Sequence, residues 1–481
     1  MDRSIRVKPK RQAFEGKYCY IFVFLFLFGG FLLPVVHAAT YYIDSQNGND
    51  SRTTTQAQNT STPWLTIQKC ADNAVAGDTC SVASGTYNER PNATTNGSSG
   101  NYITYKSVPA RSATILGFDI NGQYVRVEGF KVTNPSDTCD NVNVNCINGI
   151  NIHASYAQVV NNYIYNWRGA PAIGPSRLVW ATRYSSVSIT NNLIYHSQYG
   201  IGVWGDNWTV DSNEVNRLYA YTFESYWDAD YMRAWGIGLT VTNNYFHGTV
   251  LSEVTNPGDG TTAHVDYLQT WSYHGGYLQN LLFDKNMCSE AHQMMIEGSN
   301  SNFTISNNVF ANGLMTLSGQ LAGGLNIKGT NGVTMIGNTF YNTGGGPYCA
   351  SSSSNCLIRN CISYVTPSIG TLCAWINYGS LSSEDHNLAY RTGKGTMGAN
   401  YSVQPYPPAG TDVVDQDPLF VNTSNIVGPD GIPFTADDGL RLRAESPARG
   451  AGYGGVDIGA YKYVPGGDTT APAPPTGLPV Y

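Results

Sequence analysis

Apolar and polar positions alternate along this chain in short runs, each closed by Asn, Gly or a polar pair. The runs share one phrase: VVNNYIYNW at Val159, VSITNNLIYHS at Val187, LTVTNNYFHG at Leu239, FTISNNVFAN at Phe303, VTMIGNTFYN at Val333 and LIRNCISYV at Leu357. Taking the second polar residue as anchor gives Asn162, Asn192, Asn213, Asn244, Asn286, Asn308, Asn338 and Asn360, at intervals of 21 to 42 residues. No segment sustains the 3.6-residue period of an amphipathic helix, so the repeat predicts strands. A strand that stacks on its equivalent one unit later, at about 4.8 Å, buries one face of every unit in a common interior and leaves the insertions as corner loops. Asn at an equivalent turn in each unit suits an amide ladder and the left-handed backbone of a tight corner. The exception to the strand pattern is 66–75, where Ile67, Cys70, Ala71 and Ala74 share one side of a short amphipathic helix placed to cap the first rung.

The N-terminus follows another plan. A basic stretch, MDRSIRVKPKRQ, precedes an unbroken apolar run over 20–36 and then His37-Ala38, the order of a secretory signal with a small-residue cleavage site. Export is expected, with no stable membrane insertion once the signal is removed. Of 10 cysteines, nine follow the signal, and the close pairs Cys70/Cys80, Cys139/Cys146 and Cys349/Cys356 read as local staples for an oxidising compartment.

Composition narrows the partner. Charged residues make up 13% of the chain, against about 25% in an ordinary soluble domain, while the sequence holds 33 Tyr and 9 Trp. A net charge of -7 without a basic run beyond the signal argues against nucleic acid. Aromatic faces and amides suit sugars, so a polysaccharide is the expected partner, with the protein acting as a monomer.

The repeats, together with YYIDSQNGND at Tyr41, PWLTIQKCADNAVAGDTCSVASGTYNER at Pro63, DPLFV at Asp417, SPARGAG at Ser446 and DIGAYKY at Asp457, resemble the right-handed parallel β-helix superfamily that includes pectate lyases. The resemblance covers nearly all of the mature chain. It implies an all-β, single-chain right-handed parallel β-helix, an exported protein, and one of several activities, since the superfamily holds lyases, glycosidases, epimerases and non-catalytic surface proteins. Where relatives carry apolar residues this chain has Cys70 and Cys80, which supports their pairing. The expected organisation is a signal peptide over 1–38, cap and first rungs over 39–118, the coil over 119–463 and a Pro/Gly/Thr-rich linker or stalk over 464–481.

Candidate chemistry concentrates in HVDYLQTW and SEAHQMMIEG, which pair His264 with Asp266 and Glu290 with His292. If Trp204, Trp271, Glu297 and Lys328 share one corner column, counting back seven and five residues stacks His264 on Glu290 and Asp266 on His292. Asp266 and Glu290, one rung apart, then suit the carboxylate separation of about 5 to 9 Å used by glycosidases. Lys328 beside Glu297 offers a lyase-type base instead, and two His with two carboxylates offer a transition-metal set. Gln269, Trp271, His274, Gln293, Trp204, Trp227 and Trp235 are the expected sugar contacts, with long insertions over 199–236 and 248–263 as lips. Asp430, Asp437 and Asp438 in GPDGIPFTADDG read either as a calcium loop or as an Asx-turn hairpin. Two functions stay open: cleavage of a polysaccharide, or a non-catalytic surface or stalk protein.

Overall fold

The computed structural model describes residues 38–134, 148–168, 170–175, 182–220, 228–272, 276–314, 322–365, 372–392, 401–404 and 407–465. Among them 37 strands join into one continuous sheet that winds on itself. Strand pairs run parallel and link residues one rung apart, as in Ser188–Thr190 with Thr209–Asp211 and Leu278–Asp284 with Asn300–Ser306. The result is a parallel β-helix, as the repeat predicts.

One column explains why the coil holds. Val159, Ile189, Val210, Val241, Phe283 and Ile305 lie in register on successive rungs, all buried. Each such side chain contributes about 1.5 to 3 kcal/mol on leaving water. Between two faces the paired Asn residues divide two tasks. The first takes the left-handed corner, as at Asn161, Asn191, Asn243 and Asn307, with φ of 55°, 58°, 55° and 53°. The second points inward, and its Oδ1 accepts the backbone N–H of its equivalent on the preceding rung, from Asn192 serving Asn162 through Asn338 serving Asn308. Asn360 departs from its expected ladder place. It holds the left-handed corner at φ 54°, and Cys361 takes the inward position, its N–H donating to Asn387.

At the N-terminal end the helix Ile67–Ala71, capped by Thr66, buries Ile67, Cys70 and Ala71 over the first rung. A disulfide ties Cys70 to Cys80, and another joins Cys349 to Cys356. Cys139 and Cys146 lie outside the described residues. No helix among the described residues is long and apolar enough to cross a membrane.

At the other end the coil stops at the strand Val413–Val414, short of residue 463. The following segment folds back as a strap. Phe420, Leu440, Leu442, Ala448, Ile458 and Tyr461 pack with Met287, Val309, Ile362 and Leu388, outward residues of one face. The DPLFV, SPARGAG and DIGAYKY phrases thus supply this second apolar cluster, with Ser446 Oγ donating to Pro418 O at 2.6 Å.

Candidate functional site

The candidate residues sit on the face formed by Tyr199–Asp206, Met232–Ile237, Asp266–Thr270, Gln293–Ile296 and Gly324–Ile327. Two adjacent rungs carry the same phrase. DADYMRAW at Asp228 lies alongside HVDYLQTW at His264, with Asp228 bridged to His264 and Arg233 level with Gln269. Tyr231 and Tyr267 point into the core, while Asp230, Asp266, Arg233, Gln269, Trp235 and Trp271 belong to the outer side. Trp204 pairs in register with Trp235. Trp235 stacks edge-on to Trp271 at 4.8 Å and donates its indole N–H to Trp271 O at 2.8 Å. Glu297 and Lys328 continue this column, ion-paired at 2.7 Å. Trp204 and Trp235 are only 5% and 3% exposed, so they pack the ladder, and Trp271 is its partly open member.

Beside the tryptophans lies an acid cluster. Arg233 binds Asp228 at 2.6 Å and Asp230 at 2.5 Å, with its guanidinium 4.3 Å from the Tyr199 ring centre. Asp230 Oδ1 accepts the backbone N–H of Asp266 at 3.0 Å, which ties the buried Asp230 carboxyl to the next rung. His264 Nδ1 lies 2.8 Å from Asp266 Oδ2. That contact is close but off the hydrogen-bond axis, and neither Asp266 oxygen has an aligned donor among the described residues. On its other side His264 Nε2 is 2.8 Å from the Gln293 amide, which in turn accepts from Asn326 at 3.0 Å.

Burial and charge set the proton affinities. Burial pushes the Asp266 carboxyl up, with His264 pulling the other way. Burial pushes Asp230 well up too, opposed by Arg233. For His264 burial works downward, but the Asp266 carboxylate prevails and raises it to about 9. His292 is pushed down to about 4 by burial and by the neighbouring His264 charge. Its Nδ1 accepts the N–H of Val265 at 3.1 Å, so neutral His292 carries its proton on Nε2 and is a donor there. A charged His264 carries a proton on each ring nitrogen, Nδ1 facing the Asp266 carboxylate in the ion pair and Nε2 facing the Gln293 amide. A half-turn of the Gln293 and Asn326 amides together keeps the chain of bonds intact around it.

The sequence reading brought His264, Asp266, Gln269, Trp271, Gln293, Glu297 and Lys328 onto one face, where the structure has them. Its stacking of Asp266 on His292 is one residue out, because Asp266 is level with Gln293. Tyr267 and Leu268 both turn inward, so a bulge breaks strict alternation before Gln269. For the same reason Glu290 does not face His264. It occupies a left-handed corner at φ 53°, accepting from Gly248 N at 3.0 Å and from the Ser289 hydroxyl. His292 does join the cluster, its ring stacked 6.1 Å from His264. Trp227 and His274 lie outside the described residues. Asp228, Asp230, Arg233 and Asn326 were missed. The signal was the D-x-D-x-x-R-x-W match to H-x-D-x-x-Q-x-W, visible only when the two segments are aligned to each other.

In the C-terminal loop, Asp430 Oδ1 accepts from Ile432 N, Asp437 from Thr435 and Asp430 N, and Asp438 from Phe434 N and Tyr461. The Asp430–Ile432 bond is an Asx turn, and the others tie the loop to itself and to Tyr461 of the strap. Among the described residues no group of three or more His, Cys, Asp or Glu is arranged to hold a metal ion.

Three solved structures are similar to this chain at low identity. They are a complex of XylC with xylose (10% identical, covering 77% of this chain and 87% of that one, TM-score 0.48), the pectate lyase Pel9A (16%, 89% and 97%, 0.47) and a GH136 lacto-N-biosidase from Eubacterium ramulus (12%, 78% and 67%, 0.45). No curated protein matches. Residues 270–382 match the family model of a right handed beta helix region. By its own strand pairing the chain is a parallel β-helix, and over 270–382 it is similar to the right handed beta helix region family.

Proposed function

We propose that this chain binds a polysaccharide across the face around Trp271 and cleaves its glycosidic bonds by acid–base hydrolysis. The observation that carries the reading is His264, partly open to solvent and raised to about 9 by the buried Asp266 carboxyl behind it. A group charged at neutral pH and exposed at a site edge is equipped as a proton donor. In this reading His264 gives its proton to the leaving glycosidic oxygen as the bond to the anomeric carbon breaks. Asp228, its neighbour one rung away, takes a proton from the water that attacks that carbon. Asp266 and Asp230 position and charge these two groups; Trp271, Gln293 and Asn326 hold the sugar.

The two disulfides among the described residues suit an oxidising compartment and so fit an exported protein acting on a polysaccharide. A second reading, a non-catalytic scaffold, is favoured by one observation, the complete burial of the Asp230 and Asp266 side chains. Incubating the purified protein with neutral and uronate glycans, and following reducing ends and unsaturated-product absorbance, tests both. New reducing ends without absorbance support hydrolysis; absorbance indicates a lyase and overturns the water-dependent step; neither signal, for any glycan that binds, leaves the scaffold.

A further inference from the structure

Among the described residues, four cations along the candidate face are committed to carboxylates. Arg183 pairs with Asp206 at 3.3 Å, Arg233 with Asp228 and Asp230, His264 with Asp266, and Lys328 with Glu297. Five carboxylates therefore answer four cations. Arg233 is held further, its guanidinium lying 4.3 Å and 5.4 Å from the ring centres of Tyr199 and Trp271, and its side chain is only 12% exposed. Turning it toward a ligand would break two ion pairs and two ring contacts. Meanwhile the Asp266 carboxyl, with no exposed surface, has no aligned donor on either oxygen among the described residues, and Gln269 Oε1 on the same strand has none either. The interior beneath the open edge is rich in acceptors, while the groups facing outward are amides and an aromatic ring.

Resting on the glycan-binding reading, we infer that the site takes an uncharged, hydroxyl-rich sugar chain and rejects polyuronates. A hydroxyl both donates and accepts, so it answers the Gln293 and Asn326 amides at the open edge in either orientation. A uronate carboxylate supplies acceptors and negative charge only. It would need a cation released from an existing pair, and each release strands a carboxylate. Two pairs at the edge of the face, Arg183–Asp206 and Lys328–Glu297, are partly exposed and are the places where such a release would cost least.

The chain from Ala39 onward is tested by affinity electrophoresis against neutral xylan, β-glucan and galactan, and against polygalacturonate and alginate, at about 20 mM and about 300 mM salt, where screening differs by several-fold in length. Retention by at least one neutral glycan, unchanged by salt, with no retention by either polyuronate, supports the inference. Retention by a polyuronate that weakens at high salt overturns it while leaving glycan binding standing. No retention by any glycan overturns the binding reading and this inference with it. Glu297→Gln supplies an independent check by freeing Lys328. This variant should gain retention by polyuronate at low salt, about two- to five-fold, the scale of a surface ion pair. If the variant gains nothing, pairing is not what excludes uronates and the inference falls.

Discussion

Asn162 gives both its backbone N–H and its side-chain amide to one acceptor, Asn192 Oδ1, at 2.9 and 3.0 Å. Asn192 repeats the arrangement toward Asn213, and its Nδ2 also donates to Val159 O at 2.9 Å. The neighbouring Asn191, by contrast, is exposed and contributes its left-handed backbone. The two residues of one NN pair should therefore respond oppositely. Asn192→Ala strands several buried groups at once and should cost about 3 kcal/mol or more. Asn191→Gly keeps the corner and should change stability by no more than about 1 kcal/mol. Urea unfolding of both variants measures the difference; equal losses would show that the inward amide is not what ties rung to rung.

The repeat made the coil legible because stacking demands the same inward residues on every rung, and periodicity is visible in one sequence. The cap was legible for the same reason, since Ile67, Cys70 and Ala71 face one way on any helix. The strap was not. DPLFV and DIGAYKY carry no strand or helix period, and their role depends on which outward residues, such as Met287 and Leu388, are apolar enough to need cover. The site was half legible. Columns set by strand register were correct wherever alternation held, at Trp271, Glu297 and Lys328. They slipped where Tyr267 and Leu268 both turn inward, a choice made by core space beside Tyr231 and Phe310 and invisible to counting.

The last rungs contain an acid where earlier ones have aliphatic residues. Glu384 lies in register with the buried Ile358, and Asp412 replaces Asn as the acceptor for Asn387 N at 2.7 Å. Burial, and then the Asp412 carboxylate, push Glu384 up to about 8. A folded value above the ordinary 4.5 means that the contribution of Glu384 to stability is full at low pH and is lost as pH rises through about 8. Glu384→Gln, neutral at every pH, should leave Tm unchanged near pH 5 and raise it by a few degrees at pH 9. Thermal scans at the two pH values decide, and an equal shift at both would remove the titration from the account.

The two stacked histidines should titrate far apart. NMR of the ring protons is expected to give His264 near 9 and His292 near 4. Because His264 is raised above its ordinary 6.5, the stability it gains from Asp266 is full below about pH 6.5 and disappears as pH climbs through about 9. The stability difference between the native chain and His264→Gln should shrink over that window. Asp266→Asn should bring His264 down from about 9, since burial is then opposed only by the Asp230 and Asp228 carboxylates. A His264 that titrates near 6.5 in the native chain would mean that Asp266 is protonated and that the ion pair does not exist.

The final prediction separates the residues that sequence reasoning joined. Asp266 and Glu290 both carry a carboxylate near a histidine, but only Asp266 faces the open edge through His264. Glu290 closes a corner, binding Gly248 N and the Ser289 hydroxyl. If hydrolysis runs through His264, then His264→Gln removes the proton donor and should lower kcat by about a hundred-fold or more, the usual range for a general acid. Asp266→Asn should act through the pH profile: the alkaline limb, set near 9 by the charged histidine, should move toward acid, with KM little changed. Glu290→Gln keeps its size and one acceptor oxygen, so kcat should hold within about two-fold while Tm falls, because the Ser289 and Gly248 bonds weaken. Reducing-end assays across pH 5 to 10, run beside thermal scans, read all three. A large loss of kcat in Glu290→Gln with an unchanged Tm would return Glu290 to the chemistry and displace His264 from it.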